Sequence, residues 1–284
     1  MVQIGVSSAK AVLLVAITVA AGACSNLQPP DANGPRANVR PYPIVVADDE
    51  TAPAVRLAWQ NLSKARGTAT SAEPGFNPLT GTLESLPANG ATQVILPKVG
   101  SGPTQTEEEM RESLRRFIND WRELIGAEPA QLSLIERVDE PSGIKLARYE
   151  QRPFRLQMRG GFGRLLIRFR SSDRQVIEIS SNCIPNTDRL QASLAALSPK
   201  VSAEEATAHL TGRAFTVTEA NGRTQSFTVP SGTPLEVQQL VVYALPSSDK
   251  MTLELHLAWE IMAPNGAIKT IYLDAINDEV IAAG

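Results

Sequence analysis

From Glu236 onward the chain reads as four successive strands with turn residues between them, which commits this part to an antiparallel sheet. The runs are Val237–Leu245, Met251–Met262, Ala267–Asp274 and Glu279–Ala283. They are separated by Pro246-Ser247-Ser248-Asp249, Pro264-Asn265-Gly266 and Ile276-Asn277-Asp278, residues that tolerate tight or left-handed backbone. In the longest run Leu253, Leu255, Leu257, Trp259 and Ile261 alternate with Glu254, His256, Ala258 and Glu260. The pattern predicts one apolar face and one mostly solvated face.

An earlier stretch echoes this unit. Leu166 to Ile177 aligns without gaps on Thr270 to Ile281, matching Ile167 with Ile271, Val176 with Val280 and Ile177 with Ile281. Each copy is a strand, a polar turn and a second strand downstream of an amphipathic helix, so the expectation is a duplicated helix-plus-sheet unit.

At the N-terminus, residues 1–23 carry one charge, Lys10, followed by an uncharged run from Ala11 to Ala23 that is short for a membrane span. The shape is that of a signal peptide. Ser25 to about Gln105 is rich in Pro, Gly, Ala, Ser and Thr and reads as an extended tether. Within it Ala54–Trp59 and Gln93–Leu96 are expected as short strands, and Phe76–Leu86 as strand, turn and strand centred on Thr80-Gly81.

Thr106, with Glu109 three residues on, forms a capping box, and Glu107, Glu108 and Glu109 suit the positive end of a helix dipole. Met110, Leu114, Phe117, Ile118, Trp121, Leu124 and Ile125 recur at helical spacing, and Gly126 closes the helix. Trp121 and, on the sheet, Trp259 are expected inside. Strands follow over Leu132–Arg137, Ile144–Gln151, Arg164–Arg170 and Gln175–Ser181. Gly160-Gly161-Phe162-Gly163 lacks the strand-before, helix-after setting of a nucleotide loop and reads as a β corner. Ser202 with Glu205 caps a second helix that runs to about Arg213. Phe215–Glu219 and Thr224–Val229 flank the hairpin signal Asn221-Gly222.

Charge is near balance overall, at −3, which argues against a general nucleic-acid binder. It is unevenly spread, with ten Lys/Arg against four Asp/Glu over 137–174 and four against ten over 201–284. Solvated faces that help the two halves attract each other account for this simply. A sharper reading makes Arg148, Arg155, Arg164, Arg168 and Arg170 a partner-binding face for carboxylate or phosphate groups. Two Cys and two His at these spacings build no metal set, and no cofactor motif or catalytic constellation is legible.

Ala21-Gly22-Ala23 before Cys24 resembles the lipobox of bacterial lipoproteins, which implies lipidation of Cys24 and an envelope location, anchored in the membrane and facing the periplasm or exterior. An ordinary A-x-A cleavage site would cut at the same bond. With Cys24 lipidated, Cys183 is left as a small buried hydrophobe.

Phe76–Leu86, Trp121–Gly126, Ala147–Gln151, Val201–Ala206, Leu257–Ile261 and Ile271–Ala275 resemble the propeptide region of thermolysin-like and fungalysin-like zinc metalloproteases, an FTP domain followed by a PepSY domain. The resemblance implies an α+β fold of two successive units, each an amphipathic helix packed on an antiparallel sheet. Its boundaries fall at 1–23 for the signal peptide, 24–105 for the tether, 106–198 for the FTP-like unit and 199–284 for the PepSY-like unit. It also implies a non-catalytic protein that inhibits or chaperones a separate exported zinc metalloprotease. His209 and His256 do not sit in an H-E-x-x-H pattern, so the family's zinc and catalytic residues have no positions here. The other class is an envelope scaffold or binding lipoprotein with no protease connection.

Overall fold

The structure is a computed structural model that describes residues 42–46, 51–65, 73–87, 94–102, 105–152, 156–218, 224–247, 251–264, 266 and 268–284. The expected signal peptide, Cys24, Arg155 and the expected Asn221-Gly222 turn lie outside the described residues. The protein is mixed α+β, with five helices among the described residues and mainly antiparallel sheets.

The capping box at Thr106 forms as expected, with the Glu109 N–H donating to Thr106 and the Thr106 N–H donating to Glu109. It opens α2, Glu107–Asp120, and a break at Trp121 starts the short α3, Arg122–Ile125. Gly126 ends α3 in the left-handed conformation, at φ 79°. Met110, Leu114, Phe117, Ile118 and Trp121 are buried on one side of α2, while Glu112 pairs with Arg115 and Arg116 on the other. That buried side packs on a four-stranded antiparallel sheet.

The strands of this sheet are β4, Leu132–Asp139; β5, Ile144–Gln151; β7, Arg164–Arg170; and β8, Val176–Ser181. They lie in the order β4-β5-β7-β8. Alternation puts Leu165, Ile167 and Phe169 under the helix, fully buried, and their neighbours Arg164, Leu166, Arg168 and Arg170 on the opposite face.

The glycine corner runs between β6, Met158–Arg159, and β7. Gly160, Gly161 and Gly163 all adopt positive φ, and a Cβ on Gly160 would lie 2.1 Å from the Ala244 carbonyl oxygen. The cluster therefore serves a sharp turn and a close backbone approach.

The closing strands form the second sheet, in the order β14-β13-β12-β11-β6. They are β11, Glu236–Pro246; β12, Thr252–Met262; β13, Thr270–Asp274; and β14, Val280–Ala283. β13 covers one edge of β12 from Ala258 to Met262, and β1, Ile44–Val46, takes over that edge from Thr252 to Glu254. Leu190 and Leu194 of α4, Thr187–Ala195, pack against its apolar side, as do Ala206 and Leu210 of α5, Ala203–Leu210. β9, Ala214–Thr218, and β10, Thr224–Thr228, pair as a separate hairpin.

The two hairpins that align in sequence share their geometry. The register shift between Arg168 and Phe169 recurs between Tyr272 and Leu273. Arg174 and Asp278 both adopt left-handed backbone, at φ 62° and 58°. The Arg170 N–H donates to Gln175, as the Asp274 N–H donates to Glu279.

Four expectations need correction. Ala54–Trp59 is part of helix α1, Thr51–Ala65, not a strand. Alternation would bury Val55, Leu57 and Trp59, whereas the helix buries Val55, Ala58 and Trp59 and leaves Leu57 56% exposed. Second, the folded unit starts at Arg40 and not at Thr106, because Trp59, Leu83, Val94 and Leu96 fill the same core as α2. Leu83 comes from β3, Leu83–Ser85, which pairs with β2, Gly75–Phe76. Third, residue 199 is not a clean boundary, since β6 and α4 precede it yet belong to the second sheet and its core. Fourth, the face of β12 expected to be wet is buried at Glu254, His256, Ala258 and Glu260. Trp121 is inside as expected, and Trp259 packs against the core of the second sheet, its indole N–H donating to the Val201 carbonyl at 2.8 Å.

Replacing Trp59 by Ala should cost about 3–5 kcal/mol, because the site borders Trp121 edge-on and cannot collapse. Leu57→Ala should stay within about 0.5 kcal/mol. Urea denaturation of both variants checks the helical register of α1.

Candidate functional site

Three places concentrate polar side chains: the arginine face of the four-stranded sheet, a mixed network at β6, and a buried cluster on β12.

On the arginine face, β7 directs Arg164, Arg168 and Arg170 outward, and Arg148 lies across on β5. Most of this charge is answered within the face. Arg168 pairs with Glu140 at 2.7 Å and with Glu178, its cross-strand neighbour, at 3.1 Å. Arg170 pairs with Asp173 at 2.6 Å, and Arg148 with Glu136. Arg164 has no ion pair among the described residues. Charge-assisted hydrogen bonds to Glu140 and Glu178 raise the Arg168 pKa above its ordinary value. The structure thus brings Arg148, Arg164, Arg168 and Arg170 to one open sheet face, as a grid of Arg–Glu pairs and not as a field of free cations.

The second network joins the two sheets. Arg159 Nε donates to Glu260 Oε1 at 2.7 Å, and its Nη1 donates to Glu150 Oε1 at 3.2 Å. Gln239 and Tyr272 also donate to Glu260, at 2.7 and 3.0 Å. Burial alone would raise the Glu260 pKa, but the Arg159, Gln239 and Tyr272 bonds outweigh it and hold the carboxyl below its usual range. Among the described residues this part-buried Arg159–Glu260 pair joins the basic stretch 137–174 to the acidic stretch 201–284.

The third site was not expected from sequence. Tyr42, just before β1, donates its hydroxyl to both oxygens of Asp274, at 2.7 and 2.6 Å. His256 Nδ1 stands 2.7 Å from Asp274 Oδ2 and Nε2 stands 3.2 Å from Glu254 Oε2, while the Tyr42 ring lies over the imidazole with centroids 4.0 Å apart. Asp274 Oδ1 also accepts the N–H groups of Ile276 and Asn277. Burial would push the Asp274 pKa up, yet the bonds from His256, Tyr42 and these two N–H groups hold it below the ordinary range.

A His–Asp pair suggests general base chemistry, but here both ring nitrogens face carboxylates and the imidazole is only 6% exposed. No free nitrogen is presented to a substrate, and the cluster acts as a clasp between β1, β12 and β13. The sequence signal was the polar alternation of Glu254, His256 and Glu260 in an otherwise apolar strand. Tyr42 had no signal, since it is 232 residues from Asp274.

Cys183 is free and fully buried, and burial pushes its thiol up to about 12, which suits a small hydrophobe. Among the described residues no group of three or more His, Cys, Asp or Glu is placed to hold a metal ion. No helix among them is long and apolar enough to cross a membrane. Compared with known proteins, the chain matches no family model and no curated sequence.

Because the folded Asp274 pKa is depressed, its stabilisation is present above the unfolded value, about 3.9, and is lost as pH falls through the folded value. Unfolding free energy should therefore drop on acidification below about pH 5. Asp274→Asn should flatten that slope and cost about 1–3 kcal/mol at neutral pH, because it disrupts the hydrogen bonds of a buried acceptor. Equilibrium denaturation at a series of pH values reads both effects.

Proposed function

We propose that this chain is a non-catalytic envelope lipoprotein of propeptide-like architecture that binds a separate exported zinc metalloprotease and inhibits or chaperones it. In this reading Cys24 carries the lipid. The fold is then two successive helix-plus-sheet units, FTP-like and PepSY-like. The recurrence of one hairpin geometry at Arg168–Gln175 and Tyr272–Glu279 supports that duplication.

The observation that carries the binding role is the four-stranded sheet. Helix α2 and its neighbours cover one face, and among the described residues no layer covers the face bearing Arg148, Arg164, Arg168 and Arg170. A partner with acidic side chains could exchange with Glu136, Glu140, Glu178 and Asp173 for these guanidinium groups, gaining bidentate contacts that Lys would not provide.

The internal pairing of Arg148, Arg168 and Arg170 favours a second reading, an envelope scaffold whose face is satisfied without a partner. The test is capture from detergent-solubilised envelope with the full-length chain, followed by activity assays on what is recovered. Recovery of a zinc metalloprotease that the chain slows is the expected result. Neutralising Arg164, Arg168 and Arg170 together to Gln should weaken capture and flatten its salt dependence, since such attraction is screened over about 8 Å at physiological ionic strength. Mass spectrometry of the same native protein should show an acylated Cys24 peptide. Recovery of wall polymer alone, unchanged by the arginine substitutions, would favour the scaffold.

A further inference from the structure

The two edges of the four-stranded sheet are treated differently. At β8 the chain closes its own edge: the Leu96 N–H donates to Arg174, the Val176 N–H donates to Val94, and Thr82 Oγ1 donates to the Ser181 carbonyl. At β4 nothing comparable occurs among the described residues. Among the described residues no backbone hydrogen bond crosses its outer edge from Leu132 to Asp139.

That open edge is apolar for its position. Leu134, Ile135 and Val138 are 39%, 52% and 36% exposed, with Ile135 turned out where the register slips between Leu134 and Glu136. An exposed edge carrying Leu134, Ile135 and Val138 is a template for another strand unless it is blocked; β4 has no Lys or Pro, and its charged Glu136, Arg137 and Asp139 are engaged by Arg148, Glu107 and Lys145. Beside the edge, between α2 and β4, lies a cavity of about 330 Å³ walled by Ile118, Pro129, Leu132, Leu134 and Tyr149, with Arg111 and Arg115 at it. Tyr149 is 9% exposed, its pKa pushed up to about 12 by burial, and its hydroxyl has no hydrogen-bond partner among the described residues.

We infer that the outer edge of β4 is a strand-addition site, taking an extended polypeptide segment of an exported protein with apolar side chains at alternate positions, one of which fills the cavity beside Tyr149. This rests on the binding role proposed above and moves the principal contact from the arginine face to the sheet edge. The unpaired backbone identifies the occupant, because only another extended chain supplies N–H and C=O groups in the matching repeat, and the cavity beside it selects an apolar side chain. A second copy of β4 fits poorly, since the positions alternating onto its helix side include Arg137, which reaches Glu107 on α2, and Asp139.

The test uses the full chain and a synthetic ten-residue peptide alternating leucine with threonine, beside the same peptide with a central proline. Fluorescence anisotropy should show saturable binding of the first and at least about tenfold weaker binding of the second, which lacks a backbone donor. Hydrogen exchange should slow at residues 132–139 on binding. Ile135→Lys should weaken the peptide by about tenfold, whereas Ile177→Lys, equally a surface change but on β8, should not. Leu134→Trp, which fills the cavity, should do the same as Ile135→Lys.

Absence of saturable binding, equal binding of the proline peptide, or protection confined to β7 and β8 would overturn the inference. Concentration-dependent self-association abolished by Ile135→Lys would overturn it in favour of a second copy. Peptide binding at β4 with no exported protein captured would sustain this site and sink the protease reading; capture by wild type and Ile135→Lys alike would do the opposite.

Discussion

Strand β12 has neighbours on both edges and buried side chains on both faces, so the polar groups it carries must find partners inside the protein. Glu254, His256 and Glu260 could not be left without them, because an unpaired buried charge costs several kcal/mol. Their partners come from the adjoining strands, Gln239 on β11 and Tyr272 and Asp274 on β13, and from distant parts of the chain, Arg159 on β6 and, through Asp274, Tyr42 before β1. The rest of the architecture follows from satisfying this strand. The N-terminal segment is drawn onto the sheet and the chain between the two sheets is drawn across by Arg159, so that Arg40–Gly284 holds as one unit.

The four-stranded sheet obeys a simpler rule. Its core is apolar, with Phe117, Trp121, Leu165, Ile167 and Phe169 in a single cluster with Trp59 and Leu83. Its charges stay outside, in cross-strand and i,i+3 pairs exposed enough that each contributes little to stability. The surface that remains for recognition is therefore of two kinds, a grid of paired Arg and Glu and an unpaired backbone edge. The first supports steering and specificity, the second direct backbone pairing.

The parts of this fold legible in the sequence were those with a local cause. The capping boxes at Thr106 and Ser202 form as written, β7 spans Arg164–Arg170, and the duplicated hairpin reproduces even its left-handed residue. Helix α1 is ambiguous in the sequence because Val55, Leu57 and Trp59 also satisfy a period of two, and only Ala58 and Leu62 distinguish the helical face. The Pro- and Gly-rich composition before Thr106 suggested a tether and concealed the residues, from Trp59 to Leu96, that complete the core. For the sites, the arginines of β7 could be placed on one face by alternation, but their carboxylate partners could not, since Glu136, Glu140 and Glu178 come from other strands and a turn. The Tyr42–Asp274–His256 clasp depends on tertiary contact alone, and alternation in β12 wrongly assigned its polar side to solvent.

The central claim, that β12 needs partners from beyond its own hairpins as well as from within them, is tested most directly by native-state hydrogen exchange on a chain lacking residues 1–50. Removing Tyr42 and β1 should lower protection of the amides from Thr252 to Ala258 by at least about tenfold, while Leu165 to Phe169 in the other sheet keep most of theirs. Unchanged protection across β12 would show that the strand satisfies its buried charges without the N-terminal clasp, and would contradict the account.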